Sequence, residues 1–230
     1  MVVPVGRWAL VEACVQAAAW QRRFPSIRPL IMSVNLSARQ LQSIEIVDQV
    51  TEAIATAGID PTTLLVEVAE TDLLADLEQA SEALRMMRGL GIRVALDDLG
   101  TGTAFSRLRE LPVDVLKIDR SLVHRLGEGQ VRAATQAIAA RGRDLHLQVV
   151  AAGIETAEQL LRVSAAGCLY GQGFLLARPD TAAKAEALLQ AQVDGTGSAA
   201  KPAAQLAVPA ASQAVPATRS APTLTGTAVH

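Results

Sequence analysis

Residues 92–120 carry the sequence IRVALDDLGTGTAFSRLRELPVDVLKIDR, which contains two predicted strands that each end in charged residues. Its first residues, Ile92 to Leu96, form an apolar run typical of a buried strand, and Asp97 and Asp98 follow directly. Two neighbouring carboxylates repel each other in water, whereas a hard divalent cation relieves that repulsion and prefers carboxylate oxygens. Because the pair stands between a strand and the glycine loop 100–102, it favours a cation site. A helix N-cap followed by an exposed turn acid remains the alternative at this point.

A second strand follows a polar helical turn in the same stretch. Pro112 ends the turn, Val113 to Ile118 forms the next apolar run, and Lys117 and Asp119 stand at its end. The carboxyl ends of neighbouring parallel strands meet at one edge of a sheet. The acids and the lysine are therefore expected to share one rim.

The rest of the chain repeats this alternation of strand, polar tip and helix. Six strands are predicted, at residues 30–36, 64–68, 92–96, 113–118, 147–151 and 168–175. Helices are predicted at residues 8–23, 37–57, 77–89, 121–141 and from 156, and a last alanine-rich helix ends near residue 192. Such a series predicts an α/β fold with a parallel sheet, either a barrel or a doubly wound sheet. No Gly-rich dinucleotide fingerprint follows the first strand, which favours the barrel.

Composition excludes several classes of protein. The formal net charge of -2 gives no general attraction to DNA or anionic lipid, and no apolar segment has the length of a membrane span. Cys14 and Cys168 lie in apolar surroundings without metal-type spacing, which is typical of buried thiols in a reducing cytoplasm. Residues 193–230 are rich in Ala, Pro, Ser, Thr and Gly, and they are predicted to be a disordered tail after one folded domain at residues 1–192.

Further polar residues stand near the predicted strand ends. They are Asn35, Glu67, Glu70, Glu155 and Gln172. Taken singly, each has a simple structural explanation, as a strand-end cap, a rim acid or a turn residue. Both α/β architectures place their sites at the carboxyl ends of the strands, so the joint appearance of these residues there predicts a functional site.

Seven segments together resemble the EAL-domain family, the phosphodiesterases of the bacterial messenger cyclic di-GMP. They are GRWALVEAC from Gly6, VNLS from Val34, EVAET from Glu67, DDLGTG from Asp97, LPVDVLKIDRSLV from Leu111, VVAAGIET from Val149 and GQGF from Gly171. The resemblance implies a TIM-like (β/α) barrel that acts in signal transduction, with cyclic di-GMP as substrate and Mg²⁺ or Mn²⁺ as cofactor.

The resemblance also implies a role for each candidate residue. The metal ligands would be Asn35, Glu67, Asp97 and Asp98. Of the two catalytic candidates, Lys117 would hold the attacking water or the scissile phosphate, and Glu70 would brace the loop after the two aspartates. Gln172 and Glu155 would line the nucleotide pocket. Oxygen ligands of this kind suit a pair of metal ions that activate water near neutral pH.

Three departures from the family pattern bear on activity. The chain starts after the family's first two strands, the second of which carries the Glu-Ala-Leu that names it, so an incomplete barrel without that metal-ligand glutamate is expected. Ala152 stands where the family motif AEG(V/I)E has the glutamate tied to the second metal and to water activation. The loop Thr103–Phe105 is one residue shorter than in the family. The phosphodiesterase reaction is therefore expected to be lost or strongly impaired.

Three hypotheses follow from the sequence. The first is a phosphodiesterase of this family with degenerate chemistry. The second is a non-catalytic module that binds cyclic di-GMP or another protein, through dimerisation or association with another signalling domain. The third is an unrelated barrel with Lys117 as a Schiff-base lysine, which is disfavoured because the neighbouring acids would keep that amine protonated.

Overall fold

A computed structural model describes residues 2–194 of the chain, apart from residues 26, 28, 29 and 101–103. Within these residues lie six strands: β1 Met32–Asn35, β2 Leu64–Ala69, β3 Arg93–Leu99, β4 Val115–Ile118, β5 Gln148–Ala151 and β6 Tyr170–Gly171. The α-helices are α1 Val2–Arg23, α2 Ala38–Leu41, α3 Ile46–Ala57, α4 Glu70–Ala75, α5 Leu77–Gly89, α6 Ala104–Arg107, α7 Arg120–His124, α8 Gly129–Asp144, α9 Ala157–Ala165 and α10 Ala182–Val193.

The strands form one parallel sheet in which each strand lies beside the one that precedes it in the chain, in the order β1 to β6. Every connection contains at least one helix, as parallel strands require. One face of the sheet carries the large core, to which Val66 and Leu96 belong. The other face carries a smaller apolar cluster of Leu65, Ala95 and Val115. This sequential, one-sided winding makes the sheet curl into a half-barrel, which confirms the predicted α/β barrel type.

The last helix packs against the first helix and the first strand. Arg23 on α1 forms an ion pair with Glu186 on α10. Trp20, Met32 and Leu189 border one small apolar space between these elements. This packing connects the segment that follows β6 to the first helix and the first strand.

Helix α1 begins at Val2 rather than at the predicted Trp8. Its buried face has the expected helical spacing, with Leu10, Cys14, Ala17 and Ala18 almost fully shielded. Trp8 lies on the opposite face and is 65 % exposed. Among the described residues, none of the helices combines the length and the apolar composition that a membrane crossing requires.

Two predicted helices are each divided in the structure. The helix expected from Ser37 is interrupted between α2 and α3, where the Ser43 hydroxyl accepts the backbone N–H of Glu45 at 3.4 Å and local bonding replaces the helical pattern. The helix expected at residues 121–141 is divided into α7 and α8, in the half that contains Gly127 and Gly129. The predicted end of α3 is confirmed, since Gly58 adopts a left-handed φ of 68°.

The last strand is much shorter than the predicted span 168–175. Gly173 lies so close to Ile154 that a Cβ at residue 173 would stand 2.2 Å from the Ile154 backbone nitrogen. The chain turns at this point, and the N–H of Leu176 donates to the Gly173 carbonyl at 2.9 Å. Gln172 therefore lies just after β6 and not within it.

Parts of three predictions lie outside the described residues. They concern Thr101 and Gly102 of the glycine loop, Thr103 of the shortened loop, and residues 195–230 of the tail.

Candidate functional site

A cavity of about 370 Å³ is bordered by side chains from the carboxyl ends of the strands and from the loops that follow them. Its charged lining residues are Glu67, Asp97, Asp98, Lys117, Asp119, Arg120 and Glu155. Five carboxylates therefore face two cationic side chains, so the cavity carries a formal negative charge. Such a site attracts cations and binds an anion only where positive charge is supplied locally.

Lys117 is the central cation of this cavity. Its Nζ lies 2.5 Å from Oε2 of Glu67 and 2.9 Å from Oδ2 of Asp97, and its side chain is only 6 % exposed. Burial alone would lower the pKa of Lys117, but the charges of Glu67 and Asp97 outweigh burial and raise this pKa above its ordinary value. The amine therefore stays protonated at neutral pH, which weighs against the Schiff-base hypothesis.

Ser33 holds the other oxygen of Glu67. The Ser33 hydroxyl donates a hydrogen bond to Oε1 of Glu67, so both carboxylate oxygens of this buried side chain have partners. Ser33 was not among the site residues predicted from the sequence. The signal was available in the strand period of two, because Ile31 and Ser33 both border the cavity, whereas Met32 and Val34 belong to the large core on the other face.

The two aspartates lie inside β3, which is longer than predicted. The pairing of β3 with β4 is irregular between Leu96 and Leu99, and Asp98 has a left-handed φ of 56°. The backbone N–H of Asp98 donates to Oδ1 of Asp97 at 2.9 Å. This local kink turns both carboxylates towards the cavity at the strand end, as β-bulges near sites commonly do.

The pKa values of Asp98 and Asp119 are shifted in opposite directions. Burial and the negative charges of Asp97 and Asp119 raise the pKa of Asp98. Burial would also raise the pKa of Asp119, but hydrogen bonds from Ser121 and from the Arg120 backbone outweigh it and lower this pKa. Asp119 is the N-cap of α7, where its carboxylate accepts the Ser121 N–H at 2.9 Å. A bound divalent cation would relieve the repulsion that Asp98 experiences.

The residues that line the cavity are of the types that bind a hard divalent cation. Glu67, Asp97 and Asp98 supply carboxylate oxygens, and none of the described residues lining the cavity is histidine or cysteine, the usual ligands of zinc. Among the described residues, no three His, Cys, Asp or Glu side chains converge closely enough to form a finished metal site. Lys117 supplies the positive charge between Glu67 and Asp97 instead.

The predicted residues Asn35 and Glu70 lie beside the cavity without lining it. Asn35 ends β1 directly opposite Glu67 in the strand register, and it is exposed. Glu70 begins α4 and is 1 % exposed. Its Oε1 accepts the backbone N–H of Ala104 at 2.6 Å, which links the end of β2 to the start of α6.

Gln172 and Glu155 both border the cavity, on the side of β5 and β6. The Gln172 backbone is fixed, because its N–H donates to Ala151 O and its carbonyl accepts from Ile154 N–H, both at 2.9 Å. Ala152 also borders the cavity, and its N–H donates to Ile118 O at 3.0 Å. Position 152 thus presents a methyl group to the site.

Aromatic side chains complete this wall of the cavity. Tyr170 and Phe174 border it, and the guanidinium carbon of Arg178 lies 4.9 Å from the Phe174 ring centroid. Neither aromatic residue was among the site residues predicted from the sequence. Phe174 is 49 % exposed, so part of its ring stays open to solvent beside the Arg178 guanidinium.

A sequence model of the EAL domain matches residues 1–179. The chain belongs to the EAL domain family. The resemblance drawn from the seven segments is thus confirmed.

The bifunctional diguanylate cyclase/cyclic di-GMP phosphodiesterase MucR of Pseudomonas aeruginosa is 36 % identical over 181 residues, which cover 78 % of this EAL chain and 26 % of MucR. The chain spans about a quarter of the length of the curated relatives it matches.

Solved EAL structures share the fold. The structure of the PaMucR phosphodiesterase in complex with c-di-GMP has a TM-score of 0.76 at 35 % identity, covering 80 % of this chain and 74 % of that one. A manganese/cy-diGMP complex of Klebsiella pneumoniae BlrP1 has a TM-score of 0.65 at 27 % identity, covering 75 % of this chain and 44 % of that one.

Proposed function

We propose that this EAL domain binds cyclic di-GMP, together with a divalent metal ion, in the cavity at the carboxyl ends of the strands. We further propose that it hydrolyses this nucleotide poorly. The observation that carries the proposal is the meeting of Glu67, Asp97 and Lys117, from three neighbouring strands, in one cavity of about 370 Å³. The relative MucR is named as a cyclic di-GMP phosphodiesterase, and the PaMucR phosphodiesterase was solved with c-di-GMP.

The residues that would hold Mg²⁺ or Mn²⁺ are Asn35, Glu67, Asp97 and Asp98. When bound, the metal would lower the pKa of a water molecule and offset negative charge on the phosphate. Lys117 keeps a permanent positive charge at the same edge, from which it can donate to a phosphate oxygen. Glu70 acts indirectly, because its hydrogen bond from the backbone N–H of Ala104 fixes the segment that follows the aspartates.

The nucleoside part of the ligand would lie on the β5 and β6 side. The carboxylate of Glu155 can accept hydrogen bonds from the N–H groups of a guanine edge, and the amide of Gln172 can both donate and accept. Glu155 also lies 3.8 Å from Nε2 of His124, which limits the directions in which its carboxylate can point.

Ala152 is the reason for proposing weak hydrolysis. A methyl group cannot ligate a metal or take a proton, and position 152 borders the cavity where a longer acidic side chain would enter it. General acid–base groups contribute roughly a hundredfold to ten-thousandfold to rate. Binding depends on the other residues and is retained in this proposal.

The test is calorimetric titration of the chain with cyclic di-GMP in Mg²⁺, in Mn²⁺ and in EDTA. We expect binding that requires the metal and that weakens at least about tenfold in Asp97→Asn, because a metal ligand is lost. Asp144→Asn is the matched control, since Asp144 is an exposed aspartate at the end of α8 outside the cavity lining. Equal affinity in EDTA, or an unchanged affinity in Asp97→Asn, would contradict the proposal.

A module that binds cyclic di-GMP without any hydrolysis is the second candidate, and Ala152 is again the observation that favours it. Chromatography of the reaction mixture separates the two candidates by the linear dinucleotide product. Product formed faster than in metal-containing buffer alone supports slow hydrolysis, whereas a rate equal to that of the buffer supports the binding module.

Association with a second copy or with another signalling domain is a further proposal. Among the described residues, β1 and β6 are the edge strands of the sheet, and strand edges without a partner strand favour association. Light scattering over a range of concentrations tests self-association, and a monomer at all concentrations would contradict it.

A further inference from the structure

Ser33 is a half-buried residue of β1 that borders the cavity. Side chains alternate along a strand, so Ser33 stands on the same face of β1 as Asn35. The strand register places Asn35 directly opposite Glu67 on β2. Glu67 therefore reaches the Ser33 hydroxyl diagonally across the strand pair, and this contact draws its carboxylate towards β1.

Every carboxylate oxygen of Glu67 and Asp97 has a hydrogen-bond donor. The Ser33 hydroxyl donates to Oε1 of Glu67, and Nζ of Lys117 donates to Oε2 at 2.5 Å. Lys117 also donates to Oδ2 of Asp97 at 2.9 Å, and the backbone N–H of Asp98 donates to Oδ1. Of these four bonds, the one from Ser33 alone comes from an uncharged side chain. Without it, Glu67 would be held through Oε2 only, and its carboxylate could rotate.

Ser33 and Lys117 differ in how they would respond to a cation. Like charges repel, so a divalent ion beside Glu67 competes with the Lys117 ammonium for this carboxylate. The Ser33 hydroxyl is uncharged, and each carboxylate oxygen has two lone pairs, so Oε1 can accept this hydrogen bond and still bind a metal ion. The bond from Ser33 can therefore persist when a metal ion replaces the charge of Lys117.

We propose that Ser33 is a positioning residue, which holds the Glu67 carboxylate in the orientation that binds the divalent cation. This inference rests on the proposed function, because it concerns the metal ion of the same site. Groups that hydrogen-bond to a metal ligand fix its orientation, and their loss typically weakens metal binding by about tenfold to a hundredfold. Ser33 acts through Glu67 and does not itself contact the ion.

The experiment measures the Mn²⁺ affinity of the full chain without nucleotide, from the electron paramagnetic resonance signal of the free ion. The variants are Ser33→Ala and Ser33→Thr. Ser164→Ala is the matched control, because Ser164 is also a half-buried serine, and it lies on α9 outside the cavity lining. Its hydroxyl donates to Leu160 O at 2.8 Å. A second measurement records the carbon NMR signal of the Glu67 carboxyl group in the metal-free chain.

We expect Ser33→Ala to weaken Mn²⁺ binding about tenfold, and Ser33→Thr to restore most of the affinity because it retains the hydroxyl. Ser164→Ala should leave the affinity unchanged. The Glu67 carboxyl signal should shift in Ser33→Ala and much less in Ser33→Thr. If Ser33→Ala lowers only the free energy of unfolding and leaves the Mn²⁺ affinity unchanged, the role of Ser33 is purely structural and the inference is overturned.

Ser33→Cys separates a positioning residue from a direct metal ligand. A thiolate ligand favours a soft ion such as Cd²⁺ over Mn²⁺. We expect the ratio of the two affinities to be the same in Ser33→Cys as in the unaltered chain, and a markedly higher preference for Cd²⁺ would make residue 33 a ligand and overturn the inference. If the unaltered chain binds no Mn²⁺, the proposed function fails and the inference fails with it. Mn²⁺ binding that does not depend on Ser33 defeats the inference alone.

Discussion

The ammonium nitrogen of Lys117 lies 2.5 Å from Oε2 of Glu67, and both side chains are almost completely buried. Fifty positions separate the two residues in the chain, so their contact depends on the register of β2, β3 and β4. Burying two charges is costly, and a pair of this kind is retained only when each charge compensates the other. The contact therefore links the stability of the half-barrel to the residues of its site.

Replacing Lys117 with methionine should destabilise the chain by about 3–5 kcal/mol, because Glu67 would keep a buried charge without its partner. Urea unfolding measures the loss. Glu67→Gln in the same chain should recover part of it, since the unpaired charge is then removed. Lys184→Met is the control, because Lys184 forms an exposed pair with Asp180 and should cost less than about 1 kcal/mol. Equal losses at the two lysines would contradict the prediction.

Saturating Mg²⁺ should stabilise the Lys117→Met variant more than the unaltered chain. In the variant, the metal would supply the positive charge that Glu67 and Asp97 otherwise receive from Lys117. The shift of the unfolding midpoint with and without Mg²⁺ measures this effect, and Ca²⁺ serves as a comparison of ion size. The same shift in both chains would show that the metal does not interact with these carboxylates.

Replacing Glu70 with alanine should expose the backbone N–H of Ala104 to exchange. This N–H donates to Glu70 Oε1 at 2.6 Å, and loss of a buried hydrogen bond to a charged group costs about 1–3 kcal/mol. We expect exchange at Ala104 to become at least about tenfold faster, and Glu70→Gln, which retains an acceptor, to restore part of the protection. Asp76→Ala removes a side-chain bond to another backbone N–H, the exposed 3.2 Å bond from Gln79, and should leave Ala104 unchanged. Unaltered exchange in Glu70→Ala would show that the bond does not hold this segment.

The thiols of Cys14 and Cys168 should be unreactive in the folded protein. Both are buried, and burial raises the pKa of each thiol from 9.0 to about 11. At pH 8, we expect a disulfide reagent to modify them only as fast as the chain unfolds, and immediately in urea. A rapid reaction of either thiol in native buffer would contradict this expectation.

The raised pKa values of the Cys14 and Cys168 thiols also predict a loss of stability at alkaline pH. Below pH 9.0 both states hold the thiol protons, so the contribution of the thiols to the free energy of unfolding does not change there. Between pH 9.0 and about 11 the unfolded chain releases these protons while the folded chain retains them. The free energy of unfolding should therefore fall through this range, and Cys14→Ala/Cys168→Ala should fall less steeply. If the free energy of unfolding falls equally steeply with pH in the two chains, the thiols are not the cause of the fall.

Those parts of the site that depend on local pattern could be predicted from the sequence. Glu67, Asp97 and Lys117 stand near the ends of short apolar runs, and parallel pairing of such runs necessarily brings their ends to one edge. A barrel could also be predicted over a doubly wound sheet, because the loop after the first strand lacks the glycines of a dinucleotide site.

Other parts depend on contacts between distant segments and have no local signal. The end of β6 is set by Gly173 packing on Ile154, and Gly153 lies directly against the stem of Arg120, thirty-three positions earlier in the chain. Only the assembled sheet shows that Phe174 borders the same cavity. Sequence periodicity does not predict where these residues lie, because their positions follow from tertiary packing.

Ala152 borders the cavity and presents a methyl group to it. In Ala152→Glu, a carboxylate would enter the cavity from the end of β5, where it could take a proton from water and add an oxygen ligand for the metal. We expect hydrolysis of cyclic di-GMP to rise by about a hundredfold, measured as linear dinucleotide formed in Mn²⁺. Ala177→Glu is the matched control, because Ala177 also borders the cavity and the change adds the same charge to its wall. The two variants separate the effect of the carboxylate's position from the effect of its charge. A faster hydrolysis confined to Ala152→Glu supports the role of position 152. An equal increase in both variants would attribute the effect to charge alone. If Ala152→Glu binds Mn²⁺ more tightly and still forms no more product than the unaltered chain, Ala152 is not what limits hydrolysis.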